Sequence, residues 1–276
     1  MDSIDAAELA LSLPEVDPER PSPARIYDFW LGGSQNFEAD REAGRRAAQA
    51  MPNLPVSAQA NRVFLRHVIE DLVTERGITQ FLDLGSGVPT AGNVHEAAQA
   101  VDPGATVVYI DIDPVAIAHA RSLLADNPSA HAALADVRDP GVVLEHPVVR
   151  DSIDWTKPVA VLLFAVLHFI PDDDQAERIV RAFTEPCAPG SYLALSHGAP
   201  DHAALEAQQN AARDYAARTG VPFTPRTAEQ ITPWLSGLDI QPPGVEDIRV
   251  WVPSLNVSHT GMAPCLGVLA RKPVAG

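Results

Sequence analysis

The sequence predicts an α/β fold, a doubly wound and largely parallel sheet that ends in an antiparallel strand pair and is preceded by a helical segment. Two observations predict the sheet. From Ile78 to His197, short apolar runs typical of strands alternate with stretches in which apolar residues recur at helical spacing. Strands spaced this way pair in parallel through right-handed crossovers. Val159 to Phe164 is a nearly unbroken apolar run, the composition of a strand covered by helices on both faces. A third observation concerns the tail: Val245 to Val252 and Cys265 to Arg271 both read as strands with no helix between them, and two strands so joined pair antiparallel. At 276 residues, 46% hydrophobic and 20% charged, the chain is long enough to bury a large core without staples.

Residues 1–22 are rich in proline and acidic side chains and are expected to be flexible. Pro23 to Leu31 reads as a short helix stopped by Gly32-Gly33, Glu38 to Met51 as a strongly charged helix, and Pro55 to Arg76 as a third. On that third helix Phe64, Val68 and Leu72 recur at helical spacing. Residues 23–76 are thus a helical unit and residues 77–276 an α/β domain. Ile78 to Leu84 is the first strand and runs directly into Gly85-Ser86-Gly87. Asn93, with Glu96 three residues on, opens a helix to Val101 by a capping box. Thr106 to Asp111 is the second strand, and Asp113-Pro114 reads as the cap of a helix over Val115 to Ala125. His131 to Ala135, Val159 to Phe164 and Ser191 to His197 complete the parallel set, with Asp174 to Glu185 the helix behind the fourth strand. Asp201 to Thr219 reads as a further helix, and Thr227 with Gln230 caps another.

Charge narrows the chemistry. The formal net charge is −16, from 36 acidic against 20 basic residues, and only Lys157 and Lys272 are lysines. Such a surface repels phosphate backbones, and no Lys/Arg run offsets it, so nucleic acid is excluded as a partner and a small-molecule substrate is favoured. Met1 to Asp5 carries neither a basic nor an apolar leader, and no apolar run is long enough to cross a bilayer, so a cytoplasmic chain with no membrane partner is expected. Cys187 and Cys265 lie far apart without metal-ligand spacing and read as two buried thiols. Asp172-Asp173-Asp174 reads as a solvated helix cap, and no metal is expected. The sequence contains no nucleophile elbow, Walker loop or paired-carboxylate hydrolase site.

Asp83-Leu84-Gly85-Ser86-Gly87 follows a buried strand, where glycines let the backbone approach a ligand closely. A dinucleotide fingerprint would place a third glycine or alanine three residues later, to seat a pyrophosphate at the helix N-terminus. That position is Thr90, preceded by Pro89. Taken alone the motif is also consistent with a plain tight turn. Asp111, ending the second strand, lies where a carboxylate accepts hydrogen bonds from the two hydroxyls of a ribose. Asp136-Val137, ending the third, offers a carboxylate for an adenine amino group and a backbone N–H for a ring nitrogen; the alternative is an acid that pairs with Arg138. Three such strand ends in series point to an adenosyl ligand with no phosphate.

The series resembles that of class I methyltransferases, which are Rossmann-like. More closely, Arg25 to Gly33, Asn36-Phe37 with Asp40-Arg41, Asn61-Arg62 with Phe64 and Arg66, Gly85 to His95, and Ala165-Val166-Leu167-His168-Phe169 are similar to an actinobacterial family of S-adenosyl methyltransferases, first catalogued as a domain of unknown function. The resemblance runs from Pro23 to the C-terminus. It implies S-adenosylmethionine as cofactor and S-adenosylhomocysteine as product. It also implies cofactor contacts at Asp83, Gly85, Ser86, Gly87, Asp111, Ile112, Asp136, Val137, Phe164 and Ala165, and a setting in specialised metabolism. It names no acceptor.

His168, just past the fourth strand, is a candidate to take a proton from a hydroxyl or amine acceptor, against the alternative of a structural histidine. His197 is a weaker candidate of the same kind. In the helical segment, Tyr27 is expected to border the reactive methyl, and Arg62 or Arg66 to pair with the methionyl carboxylate, making residues 23–76 a lid. Arg41, Arg45 and Arg46 beside Glu38, Asp40 and Glu42 read instead as a salt-bridged surface. The function expected is methyl transfer to a small acceptor. The alternatives are a non-catalytic sensor or accessory protein that binds the same cofactor, and a NAD(P)-dependent oxidoreductase, which the missing third glycine and the antiparallel tail disfavour. Oligomeric state is not legible.

Overall fold

The computed structural model describes residues 16–90, 92–255 and 261–274. Its helices are α1 (Pro23–Trp30), α2 (Glu38–Ala50), α3 (Leu54–Thr74), α4 (Val94–Val101), α5 (Pro114–Leu123), α6 (Pro140–Glu145), α7 (Pro147–Ser152), α8 (Asp173–Thr184), α9 (Leu205–Thr219), α10 (Ala228–Ile231) and α11 (Ile248–Trp251). Its strands are β1 (Gln80–Leu84), β2 (Thr106–Asp111), β3 (Ala130–Leu134), β4 (Ala160–Phe164), β5 (Tyr192–Gly198), β6 (Asp239–Ile240), β7 (Glu246–Asp247) and β8 (Cys265–Arg271).

The strands form one sheet in the order β3-β2-β1-β4-β5-β8-β6. Pairing is parallel from β3 to β5, so the C-terminal ends of these five strands share one edge. β8 runs antiparallel to β5 from Tyr192 opposite Arg271 to Gly198 opposite Cys265.

The tail corrects one expectation. Of Val245 to Val252 only Glu246–Asp247 is strand, paired with Gly267 and Leu266 of β8, and Ile248–Trp251 is a helical turn. Asp247 caps that turn by accepting from the Arg249 N–H at 2.9 Å, and Ile248 and Val252, one turn apart, are both buried. A local cap and tertiary burial thus override the strand preference of Ile, Val and Trp. The antiparallel feature stands, but the long partner of β8 is β5, supplemented by the short β6. Helices α6 and α7, absent from the sequence reading, each begin with proline after a capping Asp139 or His146.

Alternation along the strands feeds two cores. Phe81, Val107, Tyr109, Leu162 and Ala194 pack on one face against Phe64, Leu65, Val68, Ile69 and Leu72 of α3. Leu82, Leu84, Val108, Val161, Leu163 and Leu193 pack on the other against Ile179, Val180 and Phe183 of α8. The first helices are pinned to this frame by Arg25, a buried cation that pairs with Asp40 at 2.9 Å and Asp113 at 3.0 Å and donates to the Arg20 carbonyl at 2.6 Å. Asp113 also caps α5, accepting from Val115 N–H at 2.8 Å, so one carboxylate joins the helical segment to the end of β2. Among the described residues no helix is long and apolar enough to cross a membrane.

Candidate active site

A cleft of about 370 Å³ opens over the C-terminal edge of the parallel strands and is roofed by α1, α2, α3 and α9. Its floor starts at the turn after β1. Gly85 and Gly87 have φ of +70° and +66°, where a side chain is strained, and a Cβ on Gly85 would lie 2.4 Å from Val166 Cγ2. The Gly85 and Ser86 N–H groups donate to the Ile110 carbonyl at 2.7 and 3.0 Å, tying the turn to β2.

Asp111 fixes that turn from the next strand: Oδ2 accepts from Gly87 N–H at 2.7 Å and Oδ1 from Asp113 N–H at 2.8 Å. Burial pushes its carboxyl up to about 6 despite these bonds. Asp83 is also buried and has no hydrogen-bond partner among the described residues for its carboxyl group; burial, reinforced by the Asp111 charge and opposed by Arg62, raises it to about 7. Arg62, on the cleft end of α3, donates from Nη2 to the Gly92 carbonyl at 3.3 Å and to Asn93 Oδ1 at 3.4 Å, while its buried Nε has no partner. Ile112 is apolar yet 56% exposed on the cleft wall, and Val137 lines the same region from the end of β3.

Two of the expected residues at this end are paired with neighbouring side chains. Arg66 does not reach the cleft: it is exposed and paired with Glu70 at 2.8 Å. Four residues along a helix is an advance of about 6 Å, which carries Arg66 past the strand ends that Arg62 meets. Asp136 lines the cleft, but its carboxylate is held by Arg138, whose Nε donates to both oxygens at 2.9 and 2.8 Å and whose backbone N–H donates at 2.9 Å. Burial alone would raise Asp136; the Arg138 hydrogen bonds outweigh it and lower the carboxyl instead. The pairing alternative is the one observed.

The far side of the cleft begins at Phe164 and Ala165. Ala165 is the one non-glycine residue with positive φ, +57°, among the described residues, and its N–H is held by Ser196 through the carbonyl at 3.1 Å and Oγ at 3.0 Å. This kinks the chain so that the turn Leu167–Phe169 folds back under the roof. His168 is 7% exposed, with its ring against Phe169 and Phe223 at centroid distances of 4.3 and 4.7 Å. Its Nδ1 accepts from Gly198 N–H at 3.3 Å, so the proton sits on Nε2. Burial, with the nearby His197 and Arg226, holds its pKa well below the usual histidine value, and the ring is neutral. In this tautomer Nε2 donates a hydrogen bond and cannot accept the proton that a base must take.

His197, the weaker candidate, is fully buried: Nδ1 meets the Gly198 carbonyl at 2.8 Å and Nε2 meets Arg226 Nη1 at 3.3 Å. Burial lowers it to about 4. Tyr27 lines the cleft with both hydroxyl roles taken, donating to the Ala58 carbonyl at 3.0 Å and accepting from Asn61 Nδ2 at 3.0 Å, and burial raises its phenol to about 12. Sequence reasoning missed Arg226, which is fully buried and donates to the carbonyls of Leu167 at 3.2 Å, Ile170 at 2.7 Å and Pro171 at 3.2 Å, and to Asp173 at 2.6 Å. It clasps the segment that carries His168, and no periodicity around Pro225-Arg226-Thr227 signals this. Asp172 caps α8 as expected, accepting from Gln175 N–H at 2.8 Å. Arg41 and Arg45 both pair with Glu38, and Arg46 with Glu42, forming the expected charged surface from which buried Asp40 is the exception.

A parallel sheet with an antiparallel strand inserted next to its edge, and a glycine turn facing an acid at the end of β2, defines the class I methyltransferase fold. Residues 10–273 match the family described as S-adenosyl methyltransferase, and the chain belongs to that family. It is an S-adenosylmethionine-dependent methyltransferase. A DUF574 family protein of Streptomyces avermitilis is similar at 39% identity and a TM-score of 0.87, over 93% of this chain and 99% of that one. A candidate methyltransferase of Thermobifida fusca is similar at 40% identity and a TM-score of 0.88, over 95% of this chain and 98% of that one. The N-methyltransferase NodS of Bradyrhizobium japonicum, in complex with S-adenosyl-L-homocysteine, shares the fold at 15% identity and a TM-score of 0.52, over 91% of this chain and 100% of that one. No curated protein matches the chain at a significant level.

Proposed function

We propose that this methyltransferase acts on a small, soluble molecule in the cytoplasm and holds its cofactor over the ends of β1, β2 and β3. The observation that carries the reading is the convergence of Asp111, Asp83 and the unpartnered Nε of Arg62 on the glycine turn. Buried polar groups without protein partners are costly unless a ligand completes them. In this reading Asp111 accepts from the ribose hydroxyls, Ile112 and Val137 flank the adenine, and Asp83 and Arg62 meet the ammonium and carboxylate of the methionyl group. Gly85, Ser86 and Gly87 supply backbone close enough to follow that group, with Phe164 and Ala165 bounding the sulfur side. Asp136, already paired, braces the adenine end through Arg138.

Bound there, S-adenosylmethionine would supply an electrophilic methyl group: the acceptor's lone pair would take it, the carbon–sulfur pair would stay on sulfur to leave S-adenosylhomocysteine, and the proton shed by an O–H or N–H acceptor would pass to solvent. The chain's own contribution is alignment and exclusion of water. Residues 23–76 form the roof that keeps the reacting atoms dry, Tyr27 borders the methyl with its proton retained, and His168 orients the acceptor by donation from Nε2 instead of serving as a base. The net charge of −16 supports a partner other than nucleic acid.

Calorimetric titration of the purified protein with S-adenosylmethionine, S-adenosylhomocysteine and NAD tests the reading. Binding of both adenosyl ligands, lost in Asp111→Ala, supports it. Folded protein that binds neither overturns it, and tight NAD binding redirects it to hydride transfer.

A further inference from the structure

The cleft is divided by charge. Every Asp, Glu, Lys or Arg that lines it comes from α3 or from the ends of β1, β2 and β3: Arg62, Asp83, Asp111, Asp113, Asp136 and Arg138. The other half, beneath α1, α2 and α9 and beyond β4 and β5, contains no such side chain among the described residues. Its walls are aromatic and aliphatic: Trp30, Met51, Phe169, Tyr215 and Phe223. The Phe169 and Tyr215 rings lie nearly parallel, 11° apart with centroids at 6.2 Å, and Phe223 meets Phe169 edge-on at 6.3 Å.

The polar atoms of this half are mostly committed. Trp30 Nε1 donates to the Gly44 carbonyl at 3.1 Å, and Gln208 both donates to the Ala199 carbonyl at 2.9 Å and accepts from Asp201 N–H at 3.0 Å. The His168 Nε2–H and the Tyr215 hydroxyl have no hydrogen-bond partner among the described residues, and both residues line the cleft. A charged acceptor entering here would lose its hydration with no counter-ion on the wall it touches, since Arg226 behind His168 is already taken up by carbonyls and Asp173. A flat aromatic molecule would gain edge and face contacts with three rings.

We propose that the acceptor of this methyltransferase is an uncharged aromatic molecule, seated among Phe169, Tyr215 and Phe223 and held by a hydrogen bond from His168 Nε2–H to one of its oxygen atoms. The proposal rests on the cofactor reading above, which leaves this half for the acceptor. It makes the selectivity against charge a property of what surrounds the acceptor and not of any single contact.

The test uses the full chain loaded with S-adenosylhomocysteine, whose own titration comes first and decides the cofactor reading separately. Three probes of similar size are then titrated: 2-naphthol, 2-naphthoate and 2-decalol. The expected order is 2-naphthol tightest, 2-decalol weaker by several-fold for want of ring contacts, and 2-naphthoate weaker by about tenfold or more for its unpaired charge. Ala212→Lys, on the inward face of α9, is expected to invert the preference so that 2-naphthoate outbinds 2-naphthol, and His168→Asn to weaken 2-naphthol with the affinity for S-adenosylhomocysteine kept. Loaded protein that binds 2-naphthoate or 2-decalol as well as 2-naphthol, or binds none of the three, overturns the proposal.

Discussion

The two halves of the cleft are built in opposite ways. The cofactor half is assembled from consecutive strand ends, Leu84 to Gly87, Asp111 and Ile112, then Asp136 and Val137, so that each polar group is delivered by a backbone that the sheet holds rigid. The acceptor half is assembled from segments far apart in the chain, with Trp30 on α1, Phe169 after β4, and Tyr215 and Phe223 on and after α9. Apart from Arg62 on α3, the charged groups that must be placed closely sit at or just after strand ends. Apolar walls that need only enclose sit on helices and loops. A fold built this way keeps one cofactor while its acceptor changes with the helices.

Arg226 clasps the segment that carries His168 in the acceptor half, and its loss has the largest expected effect. Arg226→Leu leaves the carbonyls of Leu167, Ile170 and Pro171 without their buried donor, while exposed Asp173 returns to water, and should cost about 3–5 kcal/mol of stability, read as a lower denaturant midpoint. If the halves are separable, a mutant rescued by bound S-adenosylhomocysteine keeps its cofactor affinity and loses acceptor binding.

Asp111→Ala comes next. Removing two charge-assisted hydrogen bonds to a ribose predicts cofactor affinity weaker by about 100-fold by calorimetry. An equal loss of 2-naphthol affinity in the loaded protein would show that the halves are not separate.

The third effect is a pH dependence of cofactor binding. Asp83 and Asp111 are raised to about 7 and about 6, so the ligand-free folded protein holds protons that the unfolded chain releases near pH 4. The contribution of these two carboxyls to stability therefore declines as pH rises from about 4 to 7, opposed by buried His168 and His197, whose depressed values favour the folded chain as pH rises through the ordinary histidine range. A cationic cofactor favours the ionised carboxyls, so its affinity should rise with pH, by up to about tenfold per unit between pH 6 and 7 and up to about a hundredfold per unit below pH 6, with protons released on binding. The smallest effect is Arg66→Ala, which removes an exposed pair worth under about 1 kcal/mol and should leave cofactor affinity within twofold, whereas Arg62→Ala should weaken it.

The same division governs what the sequence discloses. Signals carried by neighbouring residues are legible: the Asn93–Glu96 capping box, the caps at Asp113 and Asp172, the glycine turn and the acid after β2 all lie where local pattern puts them. Ile248 to Trp251 misleads because β-branched residues favour a strand, and only burial beside Phe64 and the Asp247 cap make a helix of them. Arg66 misleads because helical spacing fixes the face but not how far along the axis the cleft extends. Arg226 and the aromatic wall carry no local signal, since partners distant along the chain define them.

A crystal structure of the protein grown with S-adenosylhomocysteine would show whether the ligand divides the cleft in this way. Ribose hydroxyls are expected within hydrogen-bonding distance of Asp111, the carboxylate of the amino-acid moiety at Arg62, and the sulfur facing the aromatic half near Phe164. A ligand seated with its adenosyl group among Phe169, Tyr215 and Phe223 would contradict that division.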